Sequence, residues 1–311
     1  MIIPHLTQVD SPSLSKNNTG LGNALFQIFA AYGLSKKYNH IFDNSNLKTL
    51  VHVLKNNFNL DHENTIYRNL KVYNYVNNTN ICPIKENPNL YSGFDNNIDQ
   101  FIKNNSNSTI YLMGYLQSHK YFDKYYEEIC ELIKPDLKSF NIIETRYPHL
   151  FNTNVINISI HSRLNWGCGI KYNTNYLFYF EAINYIKTYI NKDINNTHKK
   201  IIINIFSDNI TEFKNTFNYL EDECIFYENN MDYIDMWCMS LCNHNILSNS
   251  TLSWWGAYIN TNKDKIVVYP NDILRLHMGT IYNSRINNER TNEHYKPEWV
   301  GLDTPNVIHQ V

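Results

Sequence analysis

Two kinds of apolar spacing alternate along the chain. In "TGLGNALFQIFAAYGLSKKY", Thr19 to Tyr38, the residues Leu25, Ile28, Phe29, Tyr32 and Leu34 recur at helical spacing, so a glycine-rich turn is expected to open a helix. Met1 to Leu6, ahead of it, reads as a short strand. Asn39 to about Ser108 alternates short apolar pieces with Asn-rich turns, and its strands cannot be ordered from the pattern. Ser108 to Pro135 then reads as a strand, a turn at Gly114 to Ser118, and a helix from about Lys120 that stops before the proline. Beyond Thr153, apolar and β-branched runs at Val155–Arg163, Ile201–Asp208, Asn245–Ser250 and Lys265–Pro270 alternate with longer helical patterns. Runs of this kind belong to parallel sheets covered on both faces.

The pattern implies an α/β chain. At 311 residues it exceeds the size at which single cores stop growing, roughly 250 to 300 residues, so two α/β lobes are expected, 1–150 and 151–311. The second lobe is the one whose strands end in polar residues. Ligands of open α/β sheets bind at that carboxyl edge, which makes His161, Arg163, Ser207, Asp208 and the Asn249–Thr251 cluster candidates together.

"NHNILSNSTLSWWGAYIN", Asn243 to Asn260, concentrates this logic. It reads as a short buried strand over Asn245–Ser248, an N-cap over Asn249–Thr251 and a helix from Ser253 to Asn260, with Trp254 and Trp255 wedging that helix against the sheet. The first turn of such a helix suits a phosphate. An arginine at the end of a buried strand needs an anion or a carboxylate, so Arg163 fits either a diphosphate clamp or an ordinary salt bridge. Asn23 could cap its helix or touch a ligand, and Gly20 and Gly22 read alone as a tight turn, since neither a dinucleotide fingerprint nor a P-loop is present.

Composition narrows the partners. A net charge of -2 with 18% charged residues provides no basic field for nucleic acid or an anionic membrane. The N-terminal segment has neither a basic stretch nor a long apolar run, so no transmembrane segment is expected and the protein is expected in the cytoplasm, with peripheral attachment to a membrane left open. The Asn17 and Asn77 sequons carry no weight without a secretory signal. Six cysteines without a CxxC pair suit free thiols, and Cys238, Cys242 and His244 are too few for a zinc site. The acids of "YLEDEC", Tyr219 to Cys224, read as a solvated turn, so no metal is expected. Asp232 and Asp235 precede a helix, where acids are favoured by its dipole.

Five segments, in order, resemble glycosyltransferase family 11, the α-1,2-fucosyltransferase family. "GLGNALFQIFAAYGLSKKY" is similar to its GGLGNQ-F-Q-A motif, and "GYLQSHKYF", Gly114 to Phe122, to its GY-Q-S-KYF segment. "ISIHSR" matches the start of its HxRRGD motif, "IFSDN" its FSDD strand, and Asp235–Asn260 its most characteristic block. The resemblance implies a GT-B fold of two Rossmann-like lobes facing across a cleft, the C-terminal one binding a nucleotide sugar. It implies transfer of L-fucose from GDP-β-L-fucose to a glycan hydroxyl with inversion, and no metal or other cofactor. It implies that Arg163 holds and stabilises the departing diphosphate together with Asn249, Ser250 and Thr251. By the same resemblance His161 and Asp235 contact the nucleoside, and Gly20, Gly22 and Asn23 face donor and acceptor from the other lobe. Asp208 contacts the donor or caps the following helix.

One departure stands out: after HxR the family reads Arg-Gly-Asp, and this chain has Leu164, Asn165 and Trp166. A second guanidinium and an acid suited to general-base work are absent there, although related protein O-fucosyltransferases also keep only the first Arg. Two alternatives follow, another nucleotide-sugar donor on the same fold and a catalytically degenerate glycan-binding protein.

Overall fold

A computed structural model describes residues 1–6, 20–44, 66–70, 81–87, 93–163, 176–196, 198–216, 223–271 and 291–303. The chain forms two compact units. The first comprises Met1–Lys134 and Asn287–Pro297, the second Pro135–Ile286 and Glu298–Val311. The first crossing therefore falls at Lys134/Pro135, ahead of the expected boundary at 150, and a late segment returns to the first unit. The residues around 137–151 belong to the second unit because Tyr147 stacks on Tyr227 at 4.1 Å and His149 Nε2 lies 2.7 Å from Asn204 Oδ1.

In the first unit, β1 (Ile2–Pro4), β3 (Thr109–Met113) and β2 (Ile81–Lys85) form a parallel sheet in the order β1-β3-β2. Helix α1 (Leu21–Tyr38) starts at Gly20 and α2 (Asn96–Asn104) is capped by Asp95, whose carboxylate accepts from Asn97 N. The helix expected from Lys120 starts later, as α3 (Tyr126–Leu132), after single-turn 3-10 segments at His119–Tyr121 and Asp123–Tyr125. This segment packs closely on α1, where a Cβ on Gly33 would fall 2.2 Å from Tyr121 O. The short helix Thr291–His294 belongs to this unit. Glu293 accepts from Phe94 N at 2.7 Å and Lys120 Nζ at 2.8 Å, and the His294 imidazole lies 2.7 Å from Gln117 O.

The second unit is a six-stranded, all-parallel sheet in the order β6-β5-β4-β7-β8-β9. Its strands are β4 (Val155–Ser162), β5 (Lys200–Ser207), β6 (Glu223–Tyr227), β7 (His244–Ile246), β8 (Val267–Pro270) and β9 (Val300–Leu302). Its helices are α4 (Leu137–Arg146), α5 (Tyr176–Ile190), α6 (Ile210–Thr216), α7 (Asp232–Ser240) and α8 (Thr251–Tyr258). Counted from its own first strand, this is the 3-2-1-4-5-6 order of doubly wound nucleotide-binding sheets.

All eight residues of β4 are buried, but the strand alternates, where a continuous apolar run was expected. Ile156, Ile158 and Ile160 join Ile203, Ile205 and the α5 side chains Phe178, Ile183 and Ile186 in one apolar layer. Asn157, Ser159 and His161 face the opposite side. Buried polar groups need partners, and this face supplies them: Asn204 Nδ2 donates to Asn157 Oδ1 at 3.1 Å and Asn245 Nδ2 to Ser159 Oγ at 2.7 Å. Asn260 Nδ2 donates to Asn245 Oδ1 at 2.8 Å. The asparagines form an amide seam beneath α7 and α8.

Trp254 and Trp255 are fully buried, and Trp254 stacks on Tyr258 at 4.8 Å. Gly256 lets α8 approach α7, since a Cβ there would fall 2.8 Å from Met239 Cβ.

Candidate functional site

The switch point of a doubly wound sheet lies between the strands where the chain reverses direction across it, and ligands bind in the crevice at their carboxyl ends. Here those strands are β4 and β7. His161 stands near the end of β4 on the polar face, Arg163 just beyond it, and Ser248 follows β7. His161 Nδ1 and Ser248 Oγ are 2.9 Å apart, and the Tyr179 hydroxyl donates to His161 O at 3.2 Å. Burial, with the Arg163 charge adding to it, lowers the His161 pKa to about 3. The imidazole is therefore neutral at physiological pH, and Arg163 carries the positive charge of this edge.

Ser250 is the N-cap of α8, its hydroxyl accepting from Leu252 N at 3.3 Å, and Thr251 is the first helical residue. Ser253 Oγ donates to Ser250 O at 2.8 Å and tightens the turn. The Asn249 carboxamide is out of solvent contact, and neither its Oδ1 nor its Nδ2 has a hydrogen-bond partner among the described residues. An orphaned amide ahead of the positive end of a helix dipole is a cost unless a ligand relieves it. A guanidinium, a neutral imidazole and a capped helix start are the chemistry that holds an oxyanion such as a phosphate.

The other expected residues fall elsewhere. Asp208 follows β5, which neighbours β4 in register (Ser162 opposite Ser207). Asn209 Oδ1 accepts from Glu212 N at 3.2 Å in the first turn of α6. Asp235 is in the first turn of α7, not ahead of it. Its Oδ1 accepts from Asn230 Nδ2 at 2.7 Å, and Arg146 Nη1 donates to Asn230 Oδ1 at 2.7 Å. Burial raises the Asp235 carboxyl to about 7. Asp235 thus belongs to a hydrogen-bonded group tying α4 to α7.

Cys238 and Cys242 are buried free thiols, Cys242 Sγ donating to Cys238 O at 3.4 Å, and His244 Nδ1 accepts from Ile266 N at 3.1 Å. Among the described residues no group of three His, Cys, Asp or Glu side chains could hold a metal ion. Glu223 and Cys224 of the "YLEDEC" stretch begin β6, while Tyr219 to Asp222 lie outside the described residues. Leu164, Asn165, Trp166, Cys168 and the Asn17 and Asn77 sequons also lie outside them.

In the first unit, Gly20 is the N-cap of α1, Gly22 is buried in its first turn, and Asn23 Oδ1 accepts from Gln117 Nε2 at 2.8 Å. Among the described residues, a Cβ on Gly20 would meet nothing within 4 Å. Sequence reasoning overlooked Ser248, which it placed inside the strand; the hydroxyl directly after the apolar pair Ile246-Leu247 was the available signal.

The model of glycosyl transferase family 11 matches residues 87–303, well over half of the chain. The chain belongs to glycosyl transferase family 11. Among curated relatives of this family 11 glycosyltransferase, the Escherichia coli O-antigen biosynthesis glycosyltransferase WbnK is 28% identical over 296 residues, covering 81% of this chain and 91% of the relative. An Escherichia coli alpha-1,2-colitosyltransferase is 26% identical over 281 residues, covering 81% and 88%. A solved structure of an Arabidopsis thaliana FUT1 mutant in complex with GDP has a TM-score of 0.48 at 12% identity, covering 85% of this chain and 72% of that one. Among the described residues of the family 11 chain, no helix is long and apolar enough to cross a membrane.

Proposed function

We propose that the second unit binds a nucleoside-diphosphate sugar at the β4–β7 switch point and that the chain transfers the sugar, with inversion, to a glycan hydroxyl. What supports this reading is the 2.9 Å contact of His161 with Ser248 at the switch point, with Arg163 following β4 and the Asn249–Thr251 turn following β7. Arg163 and the α8 start take the departing diphosphate, electrostatic stabilisation worth roughly 3 to 4 kcal/mol for one well-placed donor. Charge compensation by these groups makes a divalent cation unnecessary. His161, neutral, presents its ring to the donor as a hydrogen-bonding surface, and Asp208 is a further proposed donor contact. Asp235 is proposed for the nucleoside through the family resemblance alone. The units 1–134 with 287–297 and 135–286 with 298–311 are proposed as the acceptor-side and donor-side domains, with Gly20, Gly22 and Asn23 serving the acceptor side.

GDP-β-L-fucose is the proposed donor. A second donor reading, another nucleotide sugar, is favoured by the relative named alpha-1,2-colitosyltransferase. Incubation with labelled GDP-, UDP- and dTDP-sugars, each with and without EDTA, separates the readings. Turnover of GDP-fucose undiminished by EDTA is expected. Arg163→Ala is expected to lose turnover by roughly 10²- to 10³-fold while the chain still folds. Wild-type protein that binds no nucleotide by calorimetry would instead be a glycan-binding module.

A further inference from the structure

A cavity of about 630 Å³ lies within the second unit at the amino edge of its sheet, the edge opposite the switch point. Asn243 and Asp264 line it from just ahead of β7 and β8, His244 opens β7, and α5 ends there at Ile190. β4 runs for eight residues between the two edges, so roughly 25 Å of sheet separates this cavity from the residues proposed to hold the donor. The donor chemistry gives it no role.

The walls offer hydrogen bonds that the fold leaves unused. His244 is 7% exposed and its Nδ1 accepts from Ile266 N at 3.1 Å, which puts the proton of the neutral ring on Nε2. Burial, opposed by the Asp264 charge, lowers this histidine to about 4, so the ring is neutral at physiological pH. Its Nε2–H has no partner among the described residues. Asn243 Oδ1 accepts from Asn157 N at 2.7 Å, while its Nδ2 has no partner among them either. On the acceptor side, Asp193 Oδ2 takes one bond from Asn196 Nδ2 at 3.1 Å, and the Asp264 carboxylate has no hydrogen-bond partner among the described residues. Tyr189 lines the same cavity with its side chain 53% exposed, and Tyr185, 42% exposed, lies one turn earlier on the same face of α5.

This mixture selects among ligands. Lys192 and Lys199 balance Asp193 and Asp264, so the lining carries no net charge. A phosphate would meet two carboxylates and the negative end of the α5 dipole, and it has little to donate to either acid. An apolar ligand would leave the imidazole N–H and the carboxamide without partners, at a cost. A sugar hydroxyl donates and accepts at once, which suits N–H groups facing carboxylates, and the exposed tyrosine rings offer flat apolar area to a pyranose face. We propose that this groove is a second carbohydrate site, holding a neutral oligosaccharide with its rings on Tyr189 and Tyr185 and its hydroxyls between Asp264 and the N–H groups of Asn243 and His244. The inference goes beyond the donor reading and does not rest on it.

The test is titration of the full chain with lactose, N-acetyllactosamine and maltohexaose, followed by saturation-transfer NMR and calorimetry. Wild-type protein is expected to bind at least one of them with a Kd of about 1 mM. A variant carrying Tyr189→Ala and Asp264→Ala loses two exposed side chains, so it is expected to fold, to keep its melting temperature and to bind that sugar about tenfold more weakly. Equal affinity in the variant places the sugar elsewhere on the chain and overturns the proposal. So does wild-type protein that binds none of the three sugars. Inorganic phosphate bound more tightly than the sugars, with that binding lost in Lys199→Ala, would make the groove an anion site and overturns it too. GDP titrated in parallel reports on the donor reading separately: its affinity is expected to stay within about twofold in the variant, and a wild type that binds sugar at this groove but no GDP would sink the donor reading alone.

Discussion

His161 Nδ1 meets Ser248 Oγ at 2.9 Å across 87 residues of sequence, and the contact joins the two strands between which the second sheet changes direction. Ser248→Ala leaves a buried imidazole nitrogen without its partner. The variant is expected to lose about 1 to 3 kcal/mol of stability in urea denaturation, with little change in the denaturant slope.

Asn249 should behave in the opposite way. Its amide is already unpartnered among the described residues, so Asn249→Ala is expected to leave urea stability unchanged or slightly higher. Nucleotide affinity by calorimetry is expected to drop about tenfold, equivalent to about 1.4 kcal/mol. A variant with unchanged nucleotide affinity would remove Asn249 from the site.

Buried neutral histidines make the fold sensitive to acid. Burial lowers His161 to about 3, and His244 and His294 to about 4, below the unfolded value near 6.5. Their contribution is complete above pH 6.5 and is lost as pH falls toward 4, because the unfolded chain binds protons that the native state refuses. Glu86 and Asp235, raised to about 7, act oppositely: their contribution is present below the unfolded carboxyl range and is lost as pH rises through 7. His294→Gln isolates one histidine. Its stability should decline less steeply than wild type between pH 6.5 and 4, by at most roughly 1.4 kcal/mol per pH unit in chemical denaturation.

Gly256 tests the packing of α7 on α8. With Met239 Cβ only 2.8 Å from the position of an added Cβ and Met236 O at 3.3 Å, Gly256→Ala is expected to cost about 1 to 3 kcal/mol, read as a lowered melting temperature.

The strands and caps with strong local signals were legible in the sequence. The core strands β4 and β5 begin and end within a residue of their expected bounds, and the cap at Ser250 falls within the Asn249–Thr251 cluster, while α8 starts at Thr251, two residues before the expected Ser253. His161 and Arg163 were legible because polar residues that end a buried run stand at the carboxyl edge of a parallel sheet, where ligands bind. Edge strands were not: β6 is five residues with a mostly half-exposed pattern and β9 is three. The buried asparagines were not legible because an amide's role depends on its partner. Asn157, Asn204, Asn245 and Asn260 meet only after folding, and nothing local distinguishes them from the Asn of surface turns.

The return of 287–297 to the first unit bears on any attempt to cut the molecule into expressible pieces. A fragment stopped at Lys134 would strand the amide of Phe94, the hydroxyl of Ser118 and the ammonium of Lys120, all of which are engaged by Glu293. It would also strip the imidazole of His294 from the ring of Phe26. Dissection must therefore graft the late segment back by a linker or leave the polypeptide whole.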